Sequence, residues 1–227
     1  MRQVQRIIGV VRSLWQQVDT RKLRRYGIMA GIVIAAVVVL ALVDGWMDRR
    51  GESELTEAIM LRQAAEAAES QEDRVQKLEE ARDLLERAWS RYPWADNRHL
   101  LAYYLGVCEY ALGDHDAARG RLEKWVNKHP NDYFTPLAQS KLAAILENQG
   151  EIARALDTYQ DLAEEHPESG LAPDALLGVA RCQELMKSWQ SAYLTYQELM
   201  SRYPMSSAAA FARQQVERLR VEQKVET

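Results

Sequence analysis

Six prolines constrain this 227-residue chain more than any other feature. Four stand at 93, 130, 167 and 204 and two at 136 and 173, so both series advance in steps of 37 residues. Proline breaks a helix interior but is tolerated in its first turn. A breaker that recurs at one period, with none off the lattice, implies a chain built of repeated supersecondary units. At 47% hydrophobic and 27% charged residues the chain can build a core, which excludes a disordered polymer. Two cysteines exclude a disulfide-built scaffold. Eleven glycines disfavour a loop-rich barrel or a glycine-cradled nucleotide site.

Frames of 37 residues end RYP (91–93), KHP (128–130), EHP (165–167) and RYP (202–204), each preceded by an amphipathic helical pattern. Ala81, Ala118, Ala155 and Ala192 fall in register, followed four residues later by Leu85, Leu122, Tyr159 and Tyr196. A small residue with a large one at i+4 lets a helix nestle against its neighbour. Gly113 and Gly150 mark the turn inside each helix pair, and Lys187 holds that place in the third unit. Pro136 and Pro173 sit in the first turn of the following helix. The reading is an all-α chain of helix pairs.

These residues resemble the tetratricopeptide repeat. Leu105-Gly106, Gly113, Ala118, Leu122 and Pro130 match one unit. Leu142-Ala143, Gly150, Ala155, Tyr159 and Pro167 match the next. Val179-Ala180, Ala192, Tyr196 and Pro204 match a third, with Trp189 as its turn aromatic. A degenerate unit carrying Ala81, Leu85, Ala88 and Pro93 precedes them, and a helix from about 207 to 222 caps the stack. The fold implied is an α-solenoid of about three repeats, a degenerate first repeat and a capping helix, behind one N-terminal transmembrane helix. The three residues added to the usual period of 34 are similar to repeats of bacterial envelope proteins, including the periplasmic partner of the Tol–Pal system and the lipoprotein of the β-barrel assembly machinery.

The N-terminal part supplies the membrane reading. Tyr26 to Val43 holds no charged residue, and eighteen helical residues reach about 27 Å, close to a ~30 Å hydrocarbon core. Tyr26 and Trp46 flank it as interfacial aromatics. Residues 1–25 carry seven basic residues against Asp19, a net of +6, so the total of −4 leaves −10 for the rest. The positive-inside rule places 1–25 in the cytoplasm and the acidic body across the membrane, in the periplasm of a bacterium. The organisation expected is a basic amphipathic segment (1–25), a span (26–46), a linker (47–58), the repeat domain (59–222) and a tail (223–227). Val4, Ile7, Ile8, Val11, Leu14, Trp15 and Val18 recur at helical spacing, which fits a helix lying on the inner leaflet. A cleaved signal peptide, with Val39-Leu40-Ala41 as its site, is the alternative to an uncleaved anchor. A basic tail, one span and a periplasmic repeat domain together resemble the ancillary subunit family of the SecYEG translocon. That resemblance implies a link between the translocon and periplasmic chaperones.

The chain has no HExxH, GxSxG, P-loop or GxGxxG pattern, so no enzyme, metal or cofactor is expected. His99 and His115 lack partners at ligand spacing, and His129 and His166 share a position with Tyr92 and Tyr203. Cys108 and Cys182 are two periods apart, with Ile145 between, and read as buried free thiols too distant for a disulfide. The acidic body argues against nucleic acid, and no small-molecule substrate is expected. Partners are instead proteins in the periplasm, a membrane protein complex and inner-membrane lipid.

Function in such an array lies on the face lined by the first helix of each pair. The register places Tyr103, Val107 and Tyr110 there in unit one, Ser140, Ala144, Glu147 and Asn148 in unit two, and Asp174, Leu177, Arg181 and Glu184 in unit three. An extended or helical peptide anchored by tyrosines is the ligand this suggests, packing of those tyrosines between helices being the alternative. The function read is a non-catalytic membrane-anchored periplasmic adaptor beside the Sec translocon. The alternative is a structural or assembly subunit of another envelope complex, in division or outer-membrane assembly, or an accessory subunit of a large membrane complex. Within the span Gly27, Gly31 and Ala35 share one helix face, where small residues admit a second transmembrane helix. Gly31→Leu should dissociate that membrane partner without unfolding the external domain, read by co-purification and circular dichroism; unchanged co-purification would remove the packing role.

Overall fold

A computed structural model describes residues 20–222 and Val225. The described residues form nine helices and no strand: α1 (Thr20–Glu66), α2 (Gln71–Arg91), α3 (Arg98–Leu112), α4 (His115–Lys128), α5 (Thr135–Asn148), α6 (Ile152–Glu165), α7 (Ala172–Leu185), α8 (Trp189–Arg202) and α9 (Ser207–Val221). The proposed leaflet helix at 4–18 lies outside the described residues. The chain divides into two compact units, residues 1–50 and 51–227.

In the first unit the apolar stretch is helical, with Ile32, Ile34, Leu40 and Leu42 more than 60% exposed. Starting at Gly31 the helix is long and apolar enough to cross a membrane, with an 18-residue stretch of mean hydropathy 2.0. Leaving this much aliphatic surface uncovered is costly in water and natural in lipid. Helix α1 runs without interruption to Glu66, so residues 47–58, read as a linker, are helical. One glycine, Gly51, is the sole breaker-type residue between 46 and 66, too little to end the helix.

The second unit is the repeat array. Glu54 of α1 meets Tyr92 and Arg91 at the end of α2; α3 with α4, α5 with α6 and α7 with α8 form three full units, and α9 covers the last. Each second helix ends the same way. Tyr92, His129, His166 and Tyr203 cap α2, α4, α6 and α8, each returning its backbone N–H to the carbonyl four residues back. The proline that follows cannot continue the helix. Prolines 136 and 173 open α5 and α7 in the first turn, where a missing N–H leaves no bond unmade.

The alanine register is the inner seam. Ala81, Ala118, Ala155 and Ala192 are completely buried, as are Ala143 and Ala180 on the facing helices. A Cβ built on Gly106, which aligns with those last two, would lie 3.1 Å from Leu122 Cδ2. Cys108, Ile145 and Cys182 hold equivalent buried positions, and both thiols are free. Burial pushes each thiol up to about 11. In the degenerate first unit, Leu55, Ala58 and Ala65 are buried, as are Leu78, Ala81, Leu85 and Ala88, and the Tyr92 hydroxyl donates to Glu54 at 2.9 Å. Its turn lies between Glu66 and Gln71, earlier than the position 76 that the register gives, which lengthens α2 at its start.

The turn inside each full unit requires a left-handed residue. Gly113 and Gly150 supply it with φ of 84° and 79°, and Lys187 takes it at φ 61° against the steric preference of a side chain. Lys187→Gly should therefore stabilise the domain by about 1 kcal/mol, and Gly150→Ala should destabilise it by a similar amount, in urea unfolding followed by circular dichroism.

Candidate interaction groove

Helices α3, α5 and α7, the first members of the three pairs, line one face of the repeat unit together with the capping helix α9. The 37-residue register repeats a three-residue constellation on this face. Arg181 on α7 forks onto Glu147 on α5, with Nε to Oε1 at 2.5 Å and Nη2 to Oε2 at 2.6 Å, while the Tyr159 hydroxyl donates to the same carboxylate at 3.1 Å. One period on, Arg218 on α9 donates to Glu184 on α7, and the Tyr196 hydroxyl donates to Glu184 at 2.7 Å. Each glutamate side chain is 15% exposed and so nearly desolvated. A bidentate guanidinium is the donor that best offsets such burial.

The electrostatics follow from that geometry. Burial works to raise the Glu147 carboxyl, but the Arg181 hydrogen bonds and charge prevail and hold it below its ordinary value. The hydrogen bond to Glu147 raises Arg181 in turn. Burial, with a carboxylate beside each ring, pushes the Tyr159 and Tyr196 phenols well up, so both remain donors across the ordinary pH range. The sites are fixed, charged and neutral overall.

Unit one departs from this pattern. Tyr110 stands where Glu147 and Glu184 stand, Leu122 replaces the tyrosine and Ala144 the arginine. Lys141 instead lies 5.0 Å over the Tyr110 ring, its ammonium lowered by burial and then by the Arg62 charge. Tyr103 is 4% exposed, with ring centroids 4.9 Å from Phe134, 5.1 Å from Tyr104 and 5.4 Å from Trp125. Val107 is buried as well. These two residues build the floor of the groove rather than its surface. Tyr110, Ser140, Glu147 and Glu184 are half-buried, and Asn148 and Arg181 are exposed.

At the C-terminal end the face opens into a cleft of about 280 Å³ lined by Leu177, Arg181, Glu184, Tyr196, Phe211 and Arg218. Phe211, 47% exposed, and Arg218 were absent from the sequence-based set. The signal that finds Arg218 is its recurrence 37 residues after Arg181. In the span, Gly31 and Ala35 are exposed, and a Cβ on Gly31 would meet nothing within 4 Å. Gly27 lies outside the residues whose side chains are described. Among the described residues no group of three or more His, Cys, Asp and Glu side chains could hold a metal ion.

Comparison with known proteins places this geometry. The family described as tetratricopeptide repeat-like domain matches residues 23–161, and a further tetratricopeptide repeat matches 174–206. A comparison with curated protein sequences returns no match. A tetratricopeptide repeat protein from Parabacteroides merdae superposes with TM-score 0.56 at 18% identity over 74% of this chain, which spans 61% of that protein. A putative kinesin light chain from Podospora anserina, with nearly identical repeats, gives TM-score 0.58 at 15% identity, covering 77% of this chain and 86% of that one. YrrB, described as having an unusual peptide-binding site, gives 0.51 at 19% identity, covering 80% and 87%. At these identities the likeness concerns the fold alone.

A double-mutant cycle of Glu147→Gln and Arg181→Met should give a coupling of about 1 kcal/mol, modest because Arg181 is half exposed to solvent. A carboxyl held below its ordinary value stabilises the fold above that value and loses the contribution as pH falls through the folded value. Urea midpoints of the parent should therefore fall as pH drops below about 4.5, and Glu147→Gln should flatten that decline.

Proposed function

The chain belongs to the tetratricopeptide repeat-like domain family, and on that premise we propose that it is a membrane-anchored adaptor whose repeat groove holds a protein segment. The apolar helix with its exposed aliphatic side chains carries the anchoring part of the reading. The +6 head and the −10 body support an N-terminus in the cytoplasm and a repeat domain in the periplasm. The groove face supports the binding part. It offers the Leu177 and Phe211 surface beside paired Arg181, Glu184 and Arg218, so an extended or helical segment finds an apolar anchor point with both donors and acceptors around it. Tyr110, Ser140 and Asn148 continue that face toward unit one, over a floor made by Tyr103 and Val107.

The arrangement of basic tail, single span and repeat domain supports the ancillary role at the Sec translocon. There the span meets membrane neighbours through the Gly27, Gly31 and Ala35 face while the groove receives a periplasmic chaperone. Binding of this kind needs no chemistry from the chain. Its cost is the ordering of the captured segment, which a groove pinned by ion pairs limits because little of the receptor has to be ordered.

Photo-crosslinkers placed at Gly31 and at Asn148 in living cells test both contacts, since the first is exposed on the span and the second on the groove rim. Translocon subunits captured from Gly31 and a periplasmic protein from Asn148 are expected. Capture of division or outer-membrane assembly proteins at both positions would replace the translocon assignment, and no capture at either would remove the adaptor role.

A further inference from the structure

A second recess lies on the side of the repeat unit formed by the ends of α2 and α4 and the start of α3. It has a volume of about 430 Å³ and shares no residue with the groove cleft. Its walls are aromatic, and Asp96 is the one carboxylate among its lining residues. The Trp125 ring stacks on His99 at 5.8 Å and 16°, and His129 packs 4.6 Å from the same indole. On the other side the Arg98 guanidinium lies 3.6 Å over the Trp89 ring, anchored by a bond from Nη1 to the Trp89 carbonyl. Lys124 and Lys128 line the rim, both exposed, and neither forms an ion pair among the described residues. The fourth cation, Arg121, is bound to buried Glu109 at 2.6 Å.

The repeat supplies its own control. Arg98 stands where the next units carry Thr135 and Ala172, and His99 where they carry Pro136 and Pro173. Lys124 replaces Asp161 and Glu198, and Trp125 replaces Leu162 and Leu199. Packing at these four positions is thus satisfied in units two and three by small, apolar or acidic residues, and in the degenerate first unit by Leu61, Arg62, Arg87 and Ala88. Only in unit one do they converge as cations and rings. The substitutions also leave a loose end: Trp125 is 3% exposed and its indole N–H has no acceptor among the described residues, which is costly for a buried donor. Such a departure from an internal pattern, concentrated on one recess, is what a binding site superimposed on a structural repeat produces.

We propose that this recess binds an acidic peptide segment through one aromatic side chain flanked by carboxylates. The rings take the flat side chain, Lys124 and Lys128 take the carboxylates, and Arg98 is held ready by Trp89. The charge balance selects a short segment over a larger polyanion. A bilayer of anionic lipid or a nucleic acid would meet the −10 of the surrounding body, whereas a peptide of a few residues meets the recess alone, where Arg98, Lys124 and Lys128 outnumber Asp96. The site is independent of the adaptor reading, because it uses neither the groove nor the span.

The test is fluorescence anisotropy with the full chain in detergent and a labelled heptapeptide of alternating glutamate and aspartate around a central phenylalanine. Saturable binding is expected, weakened at least ~tenfold by Lys124→Glu with Lys128→Glu, charge reversals at positions where unit two carries Asp161 and Glu165. Trp125→Leu should weaken it as well, with circular dichroism confirming the fold. The lysine version of the peptide should not bind. Unsaturable binding, equal binding by the paired lysine variant, or tighter capture of phosphatidylglycerol vesicles or single-stranded DNA by the same residues would overturn the proposal.

Discussion

The close crossing of helices at alanine, repeated along the chain, is the contact on which the rest of the repeat unit depends. At Ala81, Ala118, Ala155 and Ala192 nothing of the side chain reaches solvent, and the large residue four positions on fills the space beside each crossing. A larger side chain at such a point would force off-rotamer packing, at about 1–3 kcal/mol each. Spacing along the stack is therefore set by small residues, and every long-range feature inherits it. The Glu147–Arg181 and Glu184–Arg218 pairs meet only because successive helices are held at one distance and one rotation.

Much of this was legible because a repeat reports its geometry several times. The proline lattice located the end of every second helix, and the caps at Tyr92, His129, His166 and Tyr203 show why those ends are alike. The two cysteines followed from the same register. Less legible was anything decided by side-chain reach. Tyr103 and Val107 share a helix with groove residues, yet sequence spacing alone does not separate a groove wall from its floor when aromatic neighbours arrive from the partner helix and from the next unit. Phe134 and Trp125 do this to Tyr103. The Glu–Tyr–Arg constellation was hidden in a different way, since its members are 12 and 34 residues apart. It surfaces only when two whole units are overlaid. The helix α1 continues through 47–58, where the composition changes from aliphatic to charged, because neither kind of residue breaks a helix.

Departures from the repeat divide the molecule by role. Where units two and three agree, the residues make the scaffold and its ion-paired face. Where unit one disagrees, at Tyr110, His99, Lys124 and Trp125, the side chains present rings and cations instead, and Lys141 of unit two lies over Tyr110. The scaffold tolerates this because each unit contacts only its neighbours, so a local change in chemistry does not propagate into the packing of distant pairs.

The two kinds of junction also respond differently to the surrounding solution. Dissolved salt screens the partly exposed Arg181 and Arg218 clamps that join α5 to α7 and α7 to α9. It leaves the Tyr103–Phe134 contact between α3 and the start of α5 intact, since burial of rings does not weaken as ions are added. On the groove face ionic strength therefore acts on the clamps of α5, α7 and α9 and not on the ring contact of α3, making the C-terminal repeats the part of the groove whose stiffness is set by the medium.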